Sequence, residues 1–122
     1  ATLASGGTNP LTGQEVFSRV AARQVLSVML TCGMYDNAGD WVSEVGLPAK
    51  SGVGGGIIAA LPSRFGVASY APQLDLHGNS VRGTLFFERL SDDFALHMLD
   101  GTLPLDLEER ATELMEVGTH VV

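Results

Sequence analysis

Basic residues are scarce in this sequence. Its 122 residues include seven lysines and arginines against fourteen aspartates and glutamates, and the formal net charge is −7. Nucleic-acid binding requires clustered basic side chains that contact phosphates, and attachment to anionic lipids requires a polybasic segment. The arginines here are scattered and Lys50 is the only lysine. We therefore expect neither a nucleic acid nor a membrane as a partner.

Cysteine and long apolar runs are equally scarce. The single cysteine, Cys32, excludes an internal disulfide and fits a reducing compartment, so we expect a cytoplasmic protein. No apolar run approaches the roughly 20 residues of a membrane-spanning helix. The first seven residues have neither the basic nor the apolar region of a signal peptide. They also lack an initiator methionine, which suits a chain cut from something longer.

Metal-ligand patterns are lacking too. His77, His97 and His120 are far apart, with no cysteine or carboxylate at the spacing of a metal site. His77 is most simply a turn residue. No metal is therefore expected.

Apolar residues make up 45% of the chain, which is enough for the core of one domain. Ser18 is a candidate N-cap for a helix over 19–32, which ends before Gly33. One face of this helix carries apolar residues at helical spacing, and we expect that face to be buried. Its members are Ala21, Val25, Val28, Met29 and Cys32, so that Cys32 is interpreted as a core thiol.

The middle of the chain predicts a short helix and a hairpin. Asp40 is a candidate cap for a helix that ends at Gly46. The apolar run 57–61 is typical of a buried strand, and a short turn joins it to a second strand over 66–71. So short a connection predicts an antiparallel hairpin.

Further helices are predicted after the hairpin. Asn79 or Ser80 is expected to cap a helix that Ser91 and Asp92 break into a further turn. Residues 105–117 then contain five acidic residues. We predict a domain over 1–103, followed by a terminal helix or linker over 104–122.

The segment Lys50-Ser51-Gly52-Val53-Gly54-Gly55-Gly56 leads into the first hairpin strand. Glycines let a ligand or another backbone approach closely, and exposed N–H groups there are suited to an oxyanion hole. The alternative is that the glycines only allow tight packing against the first helix. A phosphate loop is excluded, because its lysine follows the glycines and precedes a helix.

Tyr35 follows the first helix in the segment Cys-Gly-Met-Tyr-Asp. A tyrosine just past a helix end can reach into a pocket and move a proton. The alternative is a half-buried tyrosine whose hydroxyl is satisfied. A Ser-x-x-Lys nucleophile is excluded, because the residue three before Lys50 is Leu47.

Several of these segments together closely resemble the glutaminase family. They are Gly-Gly-Thr-Asn-Pro-Leu-Thr-Gly (6–13), Leu-Ser-Val-Met (26–29), Cys-Gly-Met-Tyr-Asp (32–36), Val-Gly-Leu-Pro-Ala-Lys-Ser-Gly-Val-Gly-Gly-Gly-Ile (45–57) and Gly-Asn-Ser-Val-Arg-Gly (78–83). The resemblance implies an α/β (α+β) fold, the C-terminal portion of a domain like that of serine β-lactamases and penicillin-binding proteins. Its expected order is helix, short helix, antiparallel β-hairpin and C-terminal helices.

The resemblance also implies an activity: hydrolysis of L-glutamine to L-glutamate and ammonia, without metal or cofactor, through a glutamyl-serine intermediate. Tyr35 matches the family's active-site tyrosine, and the backbone N–H of Val53 matches an oxyanion-hole donor. Lys50-Ser51-Gly52 is similar to the Lys-Ser/Thr-Gly motif of that superfamily. These matches make Tyr35, Val53 and Lys50 catalytic, and Tyr35, Val53, Ser51 and Gly52 substrate-binding.

The chain also departs from the family, since the Ser-x-x-Lys motif and the upstream substrate-binding residues are missing. It is expected to hold half an active site, to need the upstream part of the same domain, and to form homo-oligomers. Two alternatives stay open: a truncated, non-catalytic interaction module, and an acylase relative that acts on β-lactams.

Overall fold

The computed structural model describes residues 1–100, and its first helix, α1, spans Arg19–Cys32. Ser18 caps this helix as predicted, its hydroxyl accepting a hydrogen bond from the Ala21 N–H at 3.2 Å. The predicted burial of its apolar face is correct for Met29, which is 7% exposed, and wrong for most of the other members. Val25 and Val28 are 45% and 62% exposed, and Cys32 is exposed as well. Nothing within residues 1–100 covers these three side chains, so apolar periodicity alone did not bury them.

A tight turn connects α1 to the second helix. Residues Tyr35–Asn37 form one turn of 3₁₀ helix, and α2 follows directly over Ala38–Glu44. The position of the cap was predicted wrongly, because α2 begins after Asn37 and Asp40 lies inside its first turn. An acidic residue is favourable there as well, since it faces the positive end of the helix dipole.

Three antiparallel strands form a sheet in the order β1-β2-β3. They span Ala49–Ser51, Gly56–Leu61 and Phe65–Tyr70, and the last two form the predicted hairpin. β1 was not predicted as a separate strand. It pairs with β2 through Ser51↔Ile57, and the glycines between them form the turn, in which the Gly55 N–H donates to the Gly52 carbonyl at 2.9 Å.

The core lies between one face of this sheet and α2. Alternate strand residues point to that face because side chains alternate along a strand. Trp41 of α2 and Phe87 pack there edge to face, with ring centres 5.5 Å apart. The buried members of this cluster are Met34, Ala38, Trp41, Val45, Leu47, Ala49, Ile57, Ala59, Leu61, Phe87 and Leu96.

The last described helix, α3, spans Val81–Phe94 and is capped by Ser80, whose hydroxyl accepts from the Gly83 N–H at 3.0 Å. The predicted break at Ser91 and Asp92 is wrong. Ser91 is inside the helix, and its hydroxyl donates to the Val45 carbonyl at 2.7 Å. The polar side chain that was predicted to end the helix therefore makes a tertiary hydrogen bond instead. The predicted terminal helix or linker over 104–122 lies outside the described residues.

No helix within residues 1–100 is both long enough and apolar enough to cross a membrane. Taken together, residues 1–100 form an α+β arrangement of three α-helices, one short 3₁₀ turn and one three-stranded sheet.

Replacing Gly33 should break the junction between α1 and β1. A Cβ atom at Gly33 would overlap the carbonyl oxygen of Ala49, a backbone atom that cannot rotate away. We expect Gly33→Ala to lower the free energy of unfolding by at least about 3 kcal/mol in urea titrations. Gly39→Ala is the control: it has open space in α2, so it should stabilise by roughly 0.5–1 kcal/mol. Equal effects of the two substitutions would contradict this account of the junction.

Replacing Glu88 of α3 by glutamine should increase stability in a pH-dependent way. Partial burial, and then the negative charges of Glu44 and Asp92, raise the pKa of the Glu88 carboxyl above its ordinary value of 4.5. A raised folded-state pKa stabilises the fold below 4.5, and this contribution is lost as the pH rises through the folded value. Glu88→Gln should therefore be more stable than the unchanged chain at pH ~7, with the gain shrinking in acid.

The measurement is urea unfolding at several pH values, with Glu15→Gln at an exposed position as the control. A pH-independent difference for Glu88→Gln would show that the carboxyl charge is not the cause.

Candidate functional site

Tyr35 is the first residue of the 3₁₀ turn, three positions after α1 ends. Its backbone is left-handed, with a φ of 54°, which is uncommon for a residue other than glycine. The side chain is 38% exposed, and its hydroxyl has no protein hydrogen-bond partner within residues 1–100. The hydroxyl is therefore not held by the described part of the protein. The phenol is available to a ligand.

Strand β1 brings Lys50 to Tyr35. The Ser51 N–H donates to the Gly33 carbonyl at 2.9 Å, which fastens β1 to the end of α1. Lys50 Nζ then lies 4.7 Å from the centre of the Tyr35 ring, a cation–π contact, and it also donates to the Ser51 carbonyl. The lysine thus restrains the ring and adds positive charge beside it.

Val53 lies in the glycine turn that follows β1, and it is 72% exposed. Its N–H makes no hydrogen bond within residues 1–100, whereas the Gly52 N–H is used by the turn, donating to the Gly56 carbonyl at 2.9 Å. These glycines form the turn and do not pack against α1, so that alternative is wrong. Within residues 1–100 the turn presents two free backbone donors, the N–H groups of Val53 and Gly54.

Tyr35 and Val53 converge on Gly78. A Cβ atom at Gly78 would be 3.6 Å from the Tyr35 ring and 4.0 Å from a Val53 methyl group. Gly78 also has a φ of 90°, which other residues rarely adopt. The loop before α3 therefore forms one wall of the site.

The Ser51 side chain stands apart from those of Tyr35, Lys50 and Val53. Lys50 is exposed, and because side chains alternate along a strand, Ser51 points to the opposite, core face, where it is 2% exposed. Its hydroxyl has no hydrogen-bond partner within residues 1–100. The structure therefore brings the side chains of Tyr35, Lys50 and Val53 together, while the Ser51 side chain lies beneath them.

The loop 75–79 was not predicted to have a role in the site. Asp75 organises it, because its carboxylate accepts from the N–H groups of His77 and Asn79 at 2.8 and 3.0 Å. His77 is a turn residue, as predicted. The only signal in the sequence was the Gly-Asn-Ser-Val-Arg-Gly segment, which contains Gly78 and Asn79.

These groups can support acid–base chemistry on a substrate that develops negative charge. A phenol can transfer a proton, and a fixed N–H can stabilise an oxyanion. Within residues 1–100 no three histidines, cysteines or carboxylates are grouped as metal ligands would be. The described residues also lack a serine paired with a base at this site, so the arrangement is part of a site.

Comparison with known proteins identifies the family. A profile of the glutaminase family matches residues 1–99. Glutaminase 1 of Bradyrhizobium diazoefficiens is 59% identical over 100 residues, which are 82% of this chain and 16% of that relative. The glutaminase of Corynebacterium glutamicum is 54% identical over 99 residues, or 81% and 24% of the two chains.

Solved structures agree with this result. The structure of Mglu in its glutamate form is 53% identical, has a TM-score of 0.79, and matches 84% of this chain and 23% of its own. The probable glutaminase YbaS is 44% identical, also at a TM-score of 0.79. The α+β fold and the resemblance seen in the sequence are thereby confirmed.

This chain belongs to the glutaminase family. It spans 16% and 24% of the lengths of the two curated relatives and matches their C-terminal part.

Alanine substitutions at Ser51 and Ser91 should change the free energy of unfolding in opposite directions. Both side chains are 2% exposed, but the Ser91 hydroxyl has a partner and the Ser51 hydroxyl has none within residues 1–100. Ser91→Ala should lower the free energy of unfolding by about 1 kcal/mol, whereas Ser51→Ala should raise it by roughly as much. Urea titrations of both variants test this, and a matching loss in Ser51→Ala would contradict it.

Proposed function

We propose that this chain is the C-terminal part of an enzyme that hydrolyses L-glutamine to L-glutamate and ammonia. The observation that carries the proposal is the meeting of Tyr35, Lys50 and Val53, whose N–H is unpaired within residues 1–100, in a member of the glutaminase family. The relatives are glutaminases, and one neighbouring structure is of a glutamate form. The reaction needs no metal or cofactor.

Val53 acts through its backbone in this proposal. Attack on the side-chain amide turns the carbonyl oxygen into an oxyanion, which needs a donor that is already in place. The turn between β1 and β2 supplies one at Val53, because within residues 1–100 the Gly52 and Gly55 N–H groups are occupied, whereas those of Val53 and Gly54 are not. Loss of one such donor typically lowers turnover by about 10²–10³-fold.

Tyr35 transfers the proton. The leaving nitrogen must gain a proton to depart as ammonia, and the phenol can relay it, donating its own proton to the nitrogen while it accepts one from the attacking serine. Lys50 holds the ring at 4.7 Å and contributes positive charge where negative charge develops. Ser51 and Gly52 are proposed to shape the substrate pocket through their backbone, since the Ser51 side chain points to the core.

The nucleophilic serine of a Ser-x-x-Lys motif is proposed to come from the upstream part of the domain. The exposed face of α1 supports this, because it borders an almost wholly apolar groove of about 510 Å³ that Lys50 also lines. A large exposed apolar surface of this kind marks an interface. The remaining lining residues of the groove are Leu3, Gln24, Val25, Val28, Met29 and Ile58.

The finer features are proposed on the family resemblance and on the sequence. They are a β-lactamase-like domain of which residues 1–103 form the C-terminal part, a cytoplasmic location supported by the single cysteine, and a homo-oligomer. The exposed apolar groove beside α1 also supports association between copies when the upstream part is lacking.

Activity is tested first with the 122-residue chain alone, which should release no ammonia from L-glutamine. A chimera is then made, in which residues 1–100 replace the matching segment of the Corynebacterium glutamicum glutaminase, and it should be active because 54% identity keeps the two parts compatible. Ammonia release by the chain alone would overturn the split site. A folded but inactive chimera would favour a non-catalytic module, and acylation by penicillin would favour the β-lactam acylase.

Substitutions in the chimera assign the roles. Val53→Pro removes the backbone donor and should lower kcat by about 10²–10³-fold, whereas Val53→Ala keeps the N–H and should be nearly neutral. Tyr35→Phe should lower kcat by roughly 10²–10⁴-fold. Equal losses in Val53→Pro and Val53→Ala would show that the Val53 side chain, and not its N–H, is what matters.

A further inference from the structure

The backbone of Tyr35 is held in an unfavourable conformation. Its φ of 54° is in the left-handed region, which costs a non-glycine residue about 1–3 kcal/mol. This conformation is what turns the ring towards Lys50 and Val53. Such a residue persists only when its surroundings hold it there, so some contact must fix the adjoining peptide.

Asn79, in the loop before α3, makes that contact. Its side-chain Nδ2 donates to the carbonyl of Met34 at 3.2 Å, across 45 positions of the chain. The Met34 carbonyl belongs to the peptide whose nitrogen is that of Tyr35. This carbonyl also accepts from the Asn37 N–H at 3.2 Å, within the 3₁₀ turn. The bond from Asn79 adds a contact from outside the turn that fixes the plane of the peptide, relative to which the φ of Tyr35 is defined.

The contact is buried and rigid. Asn79 and Met34 are each 1% exposed, so that water does not compete for the hydrogen bond. Asn79 is itself fixed by Asp75: its N–H donates to the carboxylate at 3.0 Å, and its carbonyl accepts from the Asp75 N–H at 2.8 Å. The loop therefore holds the amide in place before it reaches Met34.

The chemistry of the Asn79 side chain indicates that it does more than fill space in the core. Its Oδ1 is buried without a hydrogen-bond partner within residues 1–100, which costs stability. An apolar side chain would avoid that cost but would lose the donor to Met34. The functional atom of the side chain is therefore its amide nitrogen, which donates to the carbonyl of the peptide that joins Met34 and Tyr35.

We propose that Asn79 is a positioning residue for Tyr35, holding it in the left-handed conformation that aims its ring at Lys50 and Val53. Gly78, next to Asn79, leaves space for the ring, so one loop both aligns the tyrosine and forms its wall. Its importance for turnover rests on the proposed function of Tyr35, whereas the positioning itself does not.

The test uses NMR of the full 122-residue chain in a Tyr70→Phe background, which leaves Tyr35 as the only tyrosine. A positive φ brings the amide proton close to the Hα of the same residue, so Tyr35 should show an unusually strong NOE between the two. The side-chain amide protons of Asn79 should also exchange slowly with solvent. Absence of the strong NOE in this background would overturn the proposal, whether or not any variant folds.

The variants are Asn79→Ala and the isosteric Asn79→Asp, which has no N–H to donate at neutral pH. Both should weaken the Tyr35 NOE to the strength seen for ordinary residues. The matched control is Ser91→Ala, which removes an equally buried hydrogen bond to a main-chain carbonyl 46 positions away. It should lower stability but leave the Tyr35 NOE unchanged. An unchanged NOE in folded Asn79→Ala, or an equal loss in Ser91→Ala, would overturn the proposal.

Kinetics of the chimera separate this inference from the proposed function. Asn79→Ala should lower kcat by about 10²-fold, the effect of a misplacement near 1 Å, and change KM little, while Ser91→Ala keeps kcat. A changed NOE in a chimera that never hydrolyses glutamine would overturn the proposed function but support the positioning. A changed NOE with an unchanged kcat in Asn79→Ala would overturn the role of this positioning in turnover.

Discussion

The close approach of Gly33 to the backbone of Ala49 is the contact on which the site depends. No side chain fits between the end of α1 and strand β1, and the Ser51 N–H reaches the Gly33 carbonyl only because of that closeness. This contact sets the positions of the site residues on both segments. Tyr35, just after α1, lies beside Lys50 of β1, and the glycine turn after β1 places Val53 nearby. Catalytic groups carried by rigid elements need such a fixed junction, because small displacements cost large factors in rate.

Stability and function are in tension around this junction. Three costs meet within one small region: the left-handed backbone of Tyr35, and the hydroxyl of Ser51 and the Oδ1 of Asn79, neither of which has a partner within residues 1–100. None of them improves the packing of the core, which depends on Trp41 and Phe87. Strain and unsatisfied polar atoms concentrate at functional sites because ligand chemistry, and not folding, determines the side chains there.

Local patterns predicted most of the secondary structure. Ser18 and Ser80 were foreseen as helix caps, and the hairpin followed from an apolar run and a short turn. The errors at Cys32 and Ser91 have one cause: whether a side chain is buried or bonded depends on what packs against it. Val25, Val28 and Cys32 of α1 have nothing over them within residues 1–100, and the hydroxyl of Ser91 donates to a carbonyl 46 positions away.

By itself, the sequence determined the family, the α+β class and the residue types of the candidate site, because these reside in contiguous segments such as Cys-Gly-Met-Tyr-Asp and Lys-Ser-Gly-Val. Only the tertiary structure decided which groups meet. It placed Lys50 over the ring of Tyr35, turned Ser51 to the core, and brought Asn79 to the carbonyl of Met34. The physical reason is that such contacts join residues up to 45 positions apart, and their distances are set by the packing of helices on a sheet and not by local preference.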